Sequence, residues 1–481
     1  MRLFADWLDG LEPLARDAVF ALSEYIHETT FERLPPEVVE VTKHFILDTL
    51  GVALAGSSAP GCREVVALIE EWGGKPESTV WIYGGRAPAP HAGFLNSVMA
   101  HSLDFDETHD DAALHAHVSV LPAALAAGEW VDGRVDGKRL LAAVALGVDV
   151  ACRLGLALKT PIAFVRTATC GGFGSTAAAA NLCGLSAEEV RAALGVYYSQ
   201  TAGSEQCVID GGLTKRMQPA FMVKAALLAT AMARRGITGS VHTLEGKYGY
   251  FNLYERGSYD PAPLTEGLGT KFTNGGISIK PYPCCRCTHG AIDAAIMLHR
   301  ERPVEPEEVA EITVLTSQMN LDITGAPFRV RENPQVDAQF SIPYTVAVAL
   351  LRGDVFIADF QEDSIREPRV LDLAKKVRVR VDEDHKRDRL MAPTTVEVRL
   401  EGGGLLKKKV EVMKGHPLNP LSWEELTGKF SRCVTFAARP FSGEQTGRII
   451  ETVRHLDQLE DVTELVGLLT ATDKGLEGVC T

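Results

Sequence analysis

The chain has 481 residues, 46% hydrophobic and 23% charged, with a formal net charge of -14. That length exceeds what one hydrophobic core organises and predicts two domains, while the composition excludes a small disulfide scaffold and a mainly disordered chain. With 63 Asp and Glu against 49 Lys and Arg, nucleic acid and anionic membranes are disfavoured partners, so an anionic ligand must meet cations gathered locally.

Met1 to Glu12 carries Asp6, Asp9 and Glu12 where a secretory signal would have a basic start and an apolar run, so a cytoplasmic location is expected. From Pro36, the residues Val38, Val41, Phe45 and Ile46 fall at helical spacing behind a proline suited to a first turn. Similar patterns predict helices at Pro60 to Trp72, Pro90 to Leu103, Val118 to Trp130, Gly137 to Leu158, Gly174 to Leu182, Ala187 to Tyr198 and Ala220 to Arg234. Dense Ala, Gly and Ser let such helices approach closely, which predicts a tightly packed bundle. The apolar stretch Leu140 to Ala151 falls short of the ~20 residues of a membrane span, with Asp149 inside it and Lys138, Arg139 and Arg153 beside it, and is read as a buried helix.

After the glycine-punctuated Leu264 to Gly269 the pattern changes. Alternating side chains predict strands at Glu311 to Thr316, Val377 to Val381, Thr395 to Leu400 and Lys407 to Val412, with helices at Thr288 to His299, Pro343 to Leu351 and Glu367 to Lys375. Helices return at Ser422 to Phe430, Gly443 to Arg454 and Val462 to Leu469. The expected fold is mainly α: a large helical domain from residues 1–268 and 402–481, with a smaller α+β domain inserted at 269–401.

Three clusters carry polar chemistry. The densest is His101-Ser-Leu-Asp104-Phe-Asp106-Glu107-Thr108-His109-Asp110-Asp111, followed by His115 and His117. Carboxylates beside imidazoles shift one another toward working pH and suit proton transfer, although a solvated acidic loop or a divalent-metal site would use the same residues. The spacing matches no H-E-x-x-H metal helix. A second cluster, Asp210-Gly-Gly-Leu-Thr214-Lys215-Arg216, sets two cations beside a glycine-rich turn and suits a carboxylate or phosphate, although surface Lys-Arg pairs are common. In the third, Lys280-Pro-Tyr-Pro-Cys284-Cys285-Arg286-Cys287-Thr288-His289, prolines hold Lys280 and Cys285, either as a site or as a buried hinge. A zinc knuckle there lacks a second ligand pair, and ten cysteines in a chain expected to stay in the cytoplasm argue for reduced thiols. Gly172-Phe-Gly174-Ser-Thr-Ala177 fits a dinucleotide fingerprint but lacks alternating strands and helices around it.

In chain order, His101-Ser-Leu-Asp104-Phe-Asp106-Glu-Thr108, Val120-Leu-Pro-Ala-Ala124, Thr169-Cys-Gly-Gly-Phe-Gly174, Thr214-Lys215-Arg216, Lys280-Pro-Tyr-Pro-Cys-Cys285-Arg, Gln339-Phe-Ser-Ile-Pro-Tyr344 and Lys414-Gly-His-Pro-Leu-Asn-Pro-Leu-Ser422 resemble the MmgE/PrpD family. The resemblance implies a helical domain built from both chain ends, an α+β lid, a homodimer, and an active site between the domains without metal, flavin or nucleotide. It implies a lyase or isomerase of a small di- or tricarboxylate: a dehydratase like 2-methylcitrate dehydratase first, with an iminodisuccinate-type epimerase or a cis-aconitate-type decarboxylase as alternatives. A homologue that binds carboxylates without turning them over is a further alternative. By that resemblance Asp104, Thr108, His115, Lys215, Lys280 and Tyr344 are the catalytic candidates, with Asp104 orienting His115. His109, Arg216, Cys285, Arg286 and His289 are candidates for substrate binding. One extra residue after Thr108 leaves His109 or His117 open for the role of His115. Cys285 stands where the decarboxylase pattern has a histidine, and Phe164-Val165-Arg166 stands where the family often has Phe-His-Pro.

Overall fold

A computed structural model describes residues 17–131, 133–331, 334–388 and 393–471. Among these, nine helices of ten or more residues fill the first half: α1 Val19–Glu28, α2 Pro36–Gly56, α3 Cys62–Trp72, α4 Ala89–His101, α5 His117–Trp130, α6 Gly137–Ala157, α7 Arg166–Leu182, α8 Ala187–Tyr198 and α9 Thr214–Ala233. Their starts follow local chemistry. Pro36 opens α2, the Asp136 carboxylate accepts the Arg139 backbone N–H, and Ser186 with Glu189 closes a reciprocal cap on α8.

Two helices begin well before the sequence pattern predicts. α7 starts at Arg166 and carries Gly171, Gly172 and Gly174 inside it. Glycine is needed there because a Cβ on Gly174 would come within 2.3 Å of the Gly147 carbonyl on α6, and one on Gly172 within 2.0 Å of the Tyr197 hydroxyl. These residues serve helix packing. α9 starts at Thr214 and runs through Pro219, so Lys215 and Arg216 stand on its first turn.

The long apolar helix α6 lies inside the bundle, and its two buried charged residues, Asp149 and Arg153, are satisfied there. Arg153 Nε meets Asp149 at 2.6 Å, and its guanidinium also donates to the carbonyls of Pro263, Glu266 and Lys271. The glycine-rich stretch after the bundle is thereby pinned to α6.

Two hydrophobic cores form. The first draws on Ala18 to Ile279, on Phe356 and Ile357, and on Leu421 to Leu469 from the chain's end. The second draws on Tyr282 to Met413. A four-stranded sheet lies at the second core, in the order β6-β5-β7-β8, from β5 Val309–Thr316, β6 Val377–Val381, β7 Thr394–Leu400 and β8 Leu405–Val410. β6 runs parallel to β5, with Ile312 opposite Val377, whereas β7 and β8 are antiparallel to their neighbours. Helices α10 His289–Glu301 and α11 Ile342–Arg352 pack with this sheet. The end of the chain then returns as α12 Trp423–Val434 and α13 Gly443–Arg454. α12 lies on α2, where Phe430 packs so close to Gly51 that a Cβ there would come within 2.9 Å of its ring. A mainly α architecture is therefore correct for this sequence, with one four-stranded sheet among the described residues.

The shortest strands had no signal in the sequence pattern. β1 Ser78–Thr79 pairs with β2 Arg86–Ala87, and β3 Thr108–His109 pairs with β4 Ile277–Ser278. The second pair matters most, because Thr108 opposite Ser278 brings the histidine-rich loop beside the approach to Lys280.

Candidate active site

The site begins where α4 ends at His101. The chain turns sharply at Asp104, whose φ of 54° lies in the left-handed region, uncommon for a residue other than glycine. Asp104 and Asp106 thereby take different partners. Lys215 Nζ on α9 donates to Asp104 Oδ1 at 2.9 Å. Lys280 Nζ donates to the Asp104 carbonyl at 2.9 Å and lies 3.4 Å from Oδ2. Burial pushes the Asp104 carboxyl up, but the two ammonium groups outweigh it and hold it well below the usual carboxylate range. For Lys280 burial works against the charge, and Asp104 and Asp106 raise it again. Lys215 sits at the positive end of a helix, so the Asp104 charge also offsets an unfavourable dipole.

Asp106 binds two imidazoles through one oxygen. Its Oδ2 is 2.9 Å from His101 Nδ1 and 3.0 Å from His115 Nδ1, and the two rings lie 5.3 Å apart. Burial pushes the Asp106 carboxyl up, yet the imidazoles bring it well below its ordinary value, while burial lowers His101 to about 4. An ionised Asp106 beside a neutral His101 places the shared hydrogen on Nδ1 and leaves a lone pair on Nε2. His115 Nδ1 faces both Asp106 and the Glu107 carbonyl, so it too carries its hydrogen there. Among the described residues, His115 Nε2 has no hydrogen-bond partner.

Asp106 therefore orients His115, a correction to the expected role of Asp104, whose carboxylate belongs to the lysines. The other two histidines of the loop are committed elsewhere. His117 is fully buried, with the Glu107 carboxylate accepting from its backbone N–H at 2.7 Å and lying 3.2 Å from Nδ1. His109 accepts from the Ala112 N–H and packs against Gly276, where a Cβ would come within 2.6 Å of its ring.

A small cavity of about 40 Å³ is lined by His101, Asp104, Lys215 and Arg216, by the turn Gly211 to Leu213, and by Val336, Gln339 and Phe340. It shares Gly211, Leu213, Arg216 and Val336 with an adjoining cleft of about 540 Å³. The Gln339 side chain donates to the carbonyls of Leu103 and Pro283, at 2.8 and 2.9 Å, and so ties the second core to the loop. A larger cleft of about 780 Å³ near Lys414, Lys429 and Arg432 holds none of the candidates, and these cations are paired with Glu425, Asp48 and Asp354.

Of the expected residues only Asp104, Lys215 and Arg216 line this cavity; Lys280 and His115 stand against Asp104 and Asp106 without lining it, and others lie further off. Tyr344 lies fully buried in the second core, its hydroxyl donating to the Asp359 carbonyl. Its place in the catalytic group is therefore corrected: from the same motif, Gln339 and Phe340 reach the cavity. His289 spends both ring nitrogens locally, on Arg286 and the Cys284 carbonyl, and burial keeps it well below its ordinary pKa. Arg286 donates to the Lys414 carbonyl and lies 3.7 Å from Asp110. These contacts, and the β3–β4 pairing that holds Thr108, tie the loop to the segment that carries Lys280. Cys285 is fixed through its N–H to the Gln339 carbonyl, and a hydrogen bond from Cys287 lowers its thiol. Arg166, standing where the family often has Phe-His-Pro, donates to the carbonyls of Thr160 and Ala112 and braces the loop from outside. Sequence reasoning left out His101, Asp106 and Gln339, although the first two lay inside the densest cluster and the third inside a quoted motif.

Comparison with known proteins identifies the family. The profile of the MmgE/PrpD N-terminal domain matches residues 21–261, and that of the MmgE/PrpD C-terminal domain matches residues 282–458. The chain is 28% identical to cis-aconitate decarboxylase of Homo sapiens over 455 residues, covering 92% of each chain. It is 27% identical to the cis-aconitate decarboxylase of Aspergillus terreus (strain NIH 2624 / FGSC A1156), over 92% of this chain and 93% of the relative. To 2-methylcitrate dehydratase of Cupriavidus necator it is 24% identical, over 69% of this chain and 71% of that one. With both domains matched in order over most of its length, the chain belongs to the MmgE/PrpD family.

Proposed function

We propose that this protein is a lyase acting on a small di- or tricarboxylate by moving a proton on the carbon next to a carboxylate, with dehydration of a hydroxy acid as the first reading. The observation that carries it is the convergence of Lys215 and Lys280 on Asp104, with Lys215 and Arg216 lining one cavity and His115 held on Asp106 of the same loop. Removing a proton beside a carboxylate builds a second negative charge on that group, and fixed cations stabilise the charge as it develops. His115 Nε2 takes the proton, held in the right tautomer by Asp106, and in dehydration returns it to the hydroxyl of the neighbouring carbon, which leaves as water. The reading requires no metal, flavin or nucleotide.

Decarboxylation of a cis-aconitate-like acid is the second reading, supported by the higher identity and coverage of the decarboxylase relatives. Proton NMR in deuterium oxide with 2-methylcitrate, citrate, cis-aconitate, malate and iminodisuccinate separates the possibilities by which carbon exchanges or is lost. No change with any of them would sink the lyase reading.

In the same reading, the second core with its sheet covers the site as a lid, and two copies of the chain associate. Support for the dimer comes from Trp72 and Leu68 on α3 and Phe221 and Leu228 on α9, which are exposed near one another, with Lys224 over the Trp72 ring. Light scattering should report a dimer that Trp72→Glu with Phe221→Glu converts to monomer.

A further inference from the structure

We infer that His101 selects the substrate: its Nε2 lone pair, fixed by Asp106, accepts a hydrogen bond from a hydroxyl on the bound acid, while Arg216 Nη1 takes a carboxylate oxygen. This deepens the proposed reading and rests on it. Two atoms carry the inference. His101 Nε2 and Arg216 Nη1 are both buried without a hydrogen-bond partner, and both residues line the same small cavity. Buried polar atoms are nearly always paired, so two orphans on one cavity mark groups that a ligand supplies.

Their chemistry differs in a useful way. Arg216 can only donate, so it calls for an acceptor such as a carboxylate. The Nδ1 edge of His101 is committed to the Asp106 carboxylate, which does not line the cavity, leaving the Nε2 edge for the ligand. Its lone pair repels a carboxylate or carbonyl oxygen and needs a donor. A hydroxy acid supplies both groups. An acid of the same shape without the hydroxyl leaves Nε2 buried and unpaired, the situation in which a site discriminates most strongly. Asp106 is the positioning residue, because the tautomer of His101 depends on it.

Isothermal titration of the full-length protein with two matched pairs tests this: malate against succinate, and citrate against tricarballylate. Each hydroxy acid should bind at least ~10-fold tighter than its partner. His101→Asn keeps an N–H for Asp106 but offers no acceptor where Nε2 was. It should bring the ratio to within about threefold. Equal binding of both acids by the wild type overturns the inference but leaves the carboxylate site standing, as does a ratio that survives in His101→Asn. Binding of neither acid overturns both readings. Imidazole nitrogen-15 NMR of the wild type gives an independent result should His101→Asn not fold: a bare Nε2 on His101 supports the inference, and a hydrogen on Nε2 overturns it. In Asp106→Asn the hydrogen should move to Nε2.

Discussion

Lys280 holds Asp104 at two points, donating to its carbonyl at 2.9 Å and standing 3.4 Å from its carboxylate, although 176 positions separate the two residues. Lys280 is 1% exposed, and a buried cation is tolerable only when paired. Asp104→Asn should therefore do two things: lower turnover at least ~100-fold by releasing both lysines, and destabilise the fold by about 3–5 kcal/mol through the uncompensated Lys280 charge. Steady-state kinetics and chemical denaturation read the two effects separately. Lys215→Ala should match the loss of turnover with little loss of stability, because its side chain is 22% exposed.

His115 offers a cleaner kinetic test. Its Nε2 is the only ring nitrogen of His109, His115 and His117 placed as a free proton acceptor with an Asp106 clamp behind it. His115→Ala is expected to reduce kcat at least ~100-fold. Turnover within a few fold of wild type would remove His115 from the mechanism.

Tyr344→Phe should leave turnover per folded molecule near wild type, since the hydroxyl serves only the Asp359 carbonyl in the second core. Stability should fall by about 1–2 kcal/mol, the effect of an unpaired buried carbonyl. A hundredfold kinetic loss would return Tyr344 to the active site.

Acid should destabilise the fold through His101. Its pKa lies near 4 in the folded protein against 6.5 ordinarily, because burial disfavours the imidazolium. Between those values the unfolded chain binds a proton that the folded chain refuses, so stability is complete above pH 6.5 and declines as pH falls toward 4. The full contribution is about 3 kcal/mol. Asp48 works the opposite way, since burial raises it to about 6 despite Lys429. The quantity to measure is therefore the difference in denaturation free energy between wild type and His101→Asn from pH 7 to 4. A difference that does not shrink on acidification would refute the assignment.

Gly172→Ala probes the helix packing behind the site. The new Cβ would sit 2.0 Å from the Tyr197 hydroxyl, which is fixed on the carbonyls of Ala168 and Thr169. A loss of at least ~1–3 kcal/mol is expected, seen as a lower Tm.

Much of the fold could be read along the chain because it rests on local periodicity. The helices Ala187–Tyr198 and Gly443–Arg454 and the strand Val377–Val381 end where side-chain patterning and caps end them. Where those signals conflict with long-range packing, packing prevails. Gly171 to Gly174 look like a helix start yet lie inside α7, because Gly147 and Tyr197 demand backbone without a side chain. Pro219 looks like a boundary yet stands inside α9. Two-residue strands such as β3 and β4 have no periodicity to detect.

By itself, the sequence determined the mainly helical architecture, the family and the three polar clusters, since each depends on residue types at short spacing. Only the tertiary structure decided which members of those clusters meet. Asp104 and Asp106 are two residues apart and chemically alike, yet one faces two ammonium groups and the other two imidazoles. That division follows from the left-handed turn at Asp104 and from the β3–β4 pairing that delivers Lys280, relationships between distant segments that no local pattern encodes.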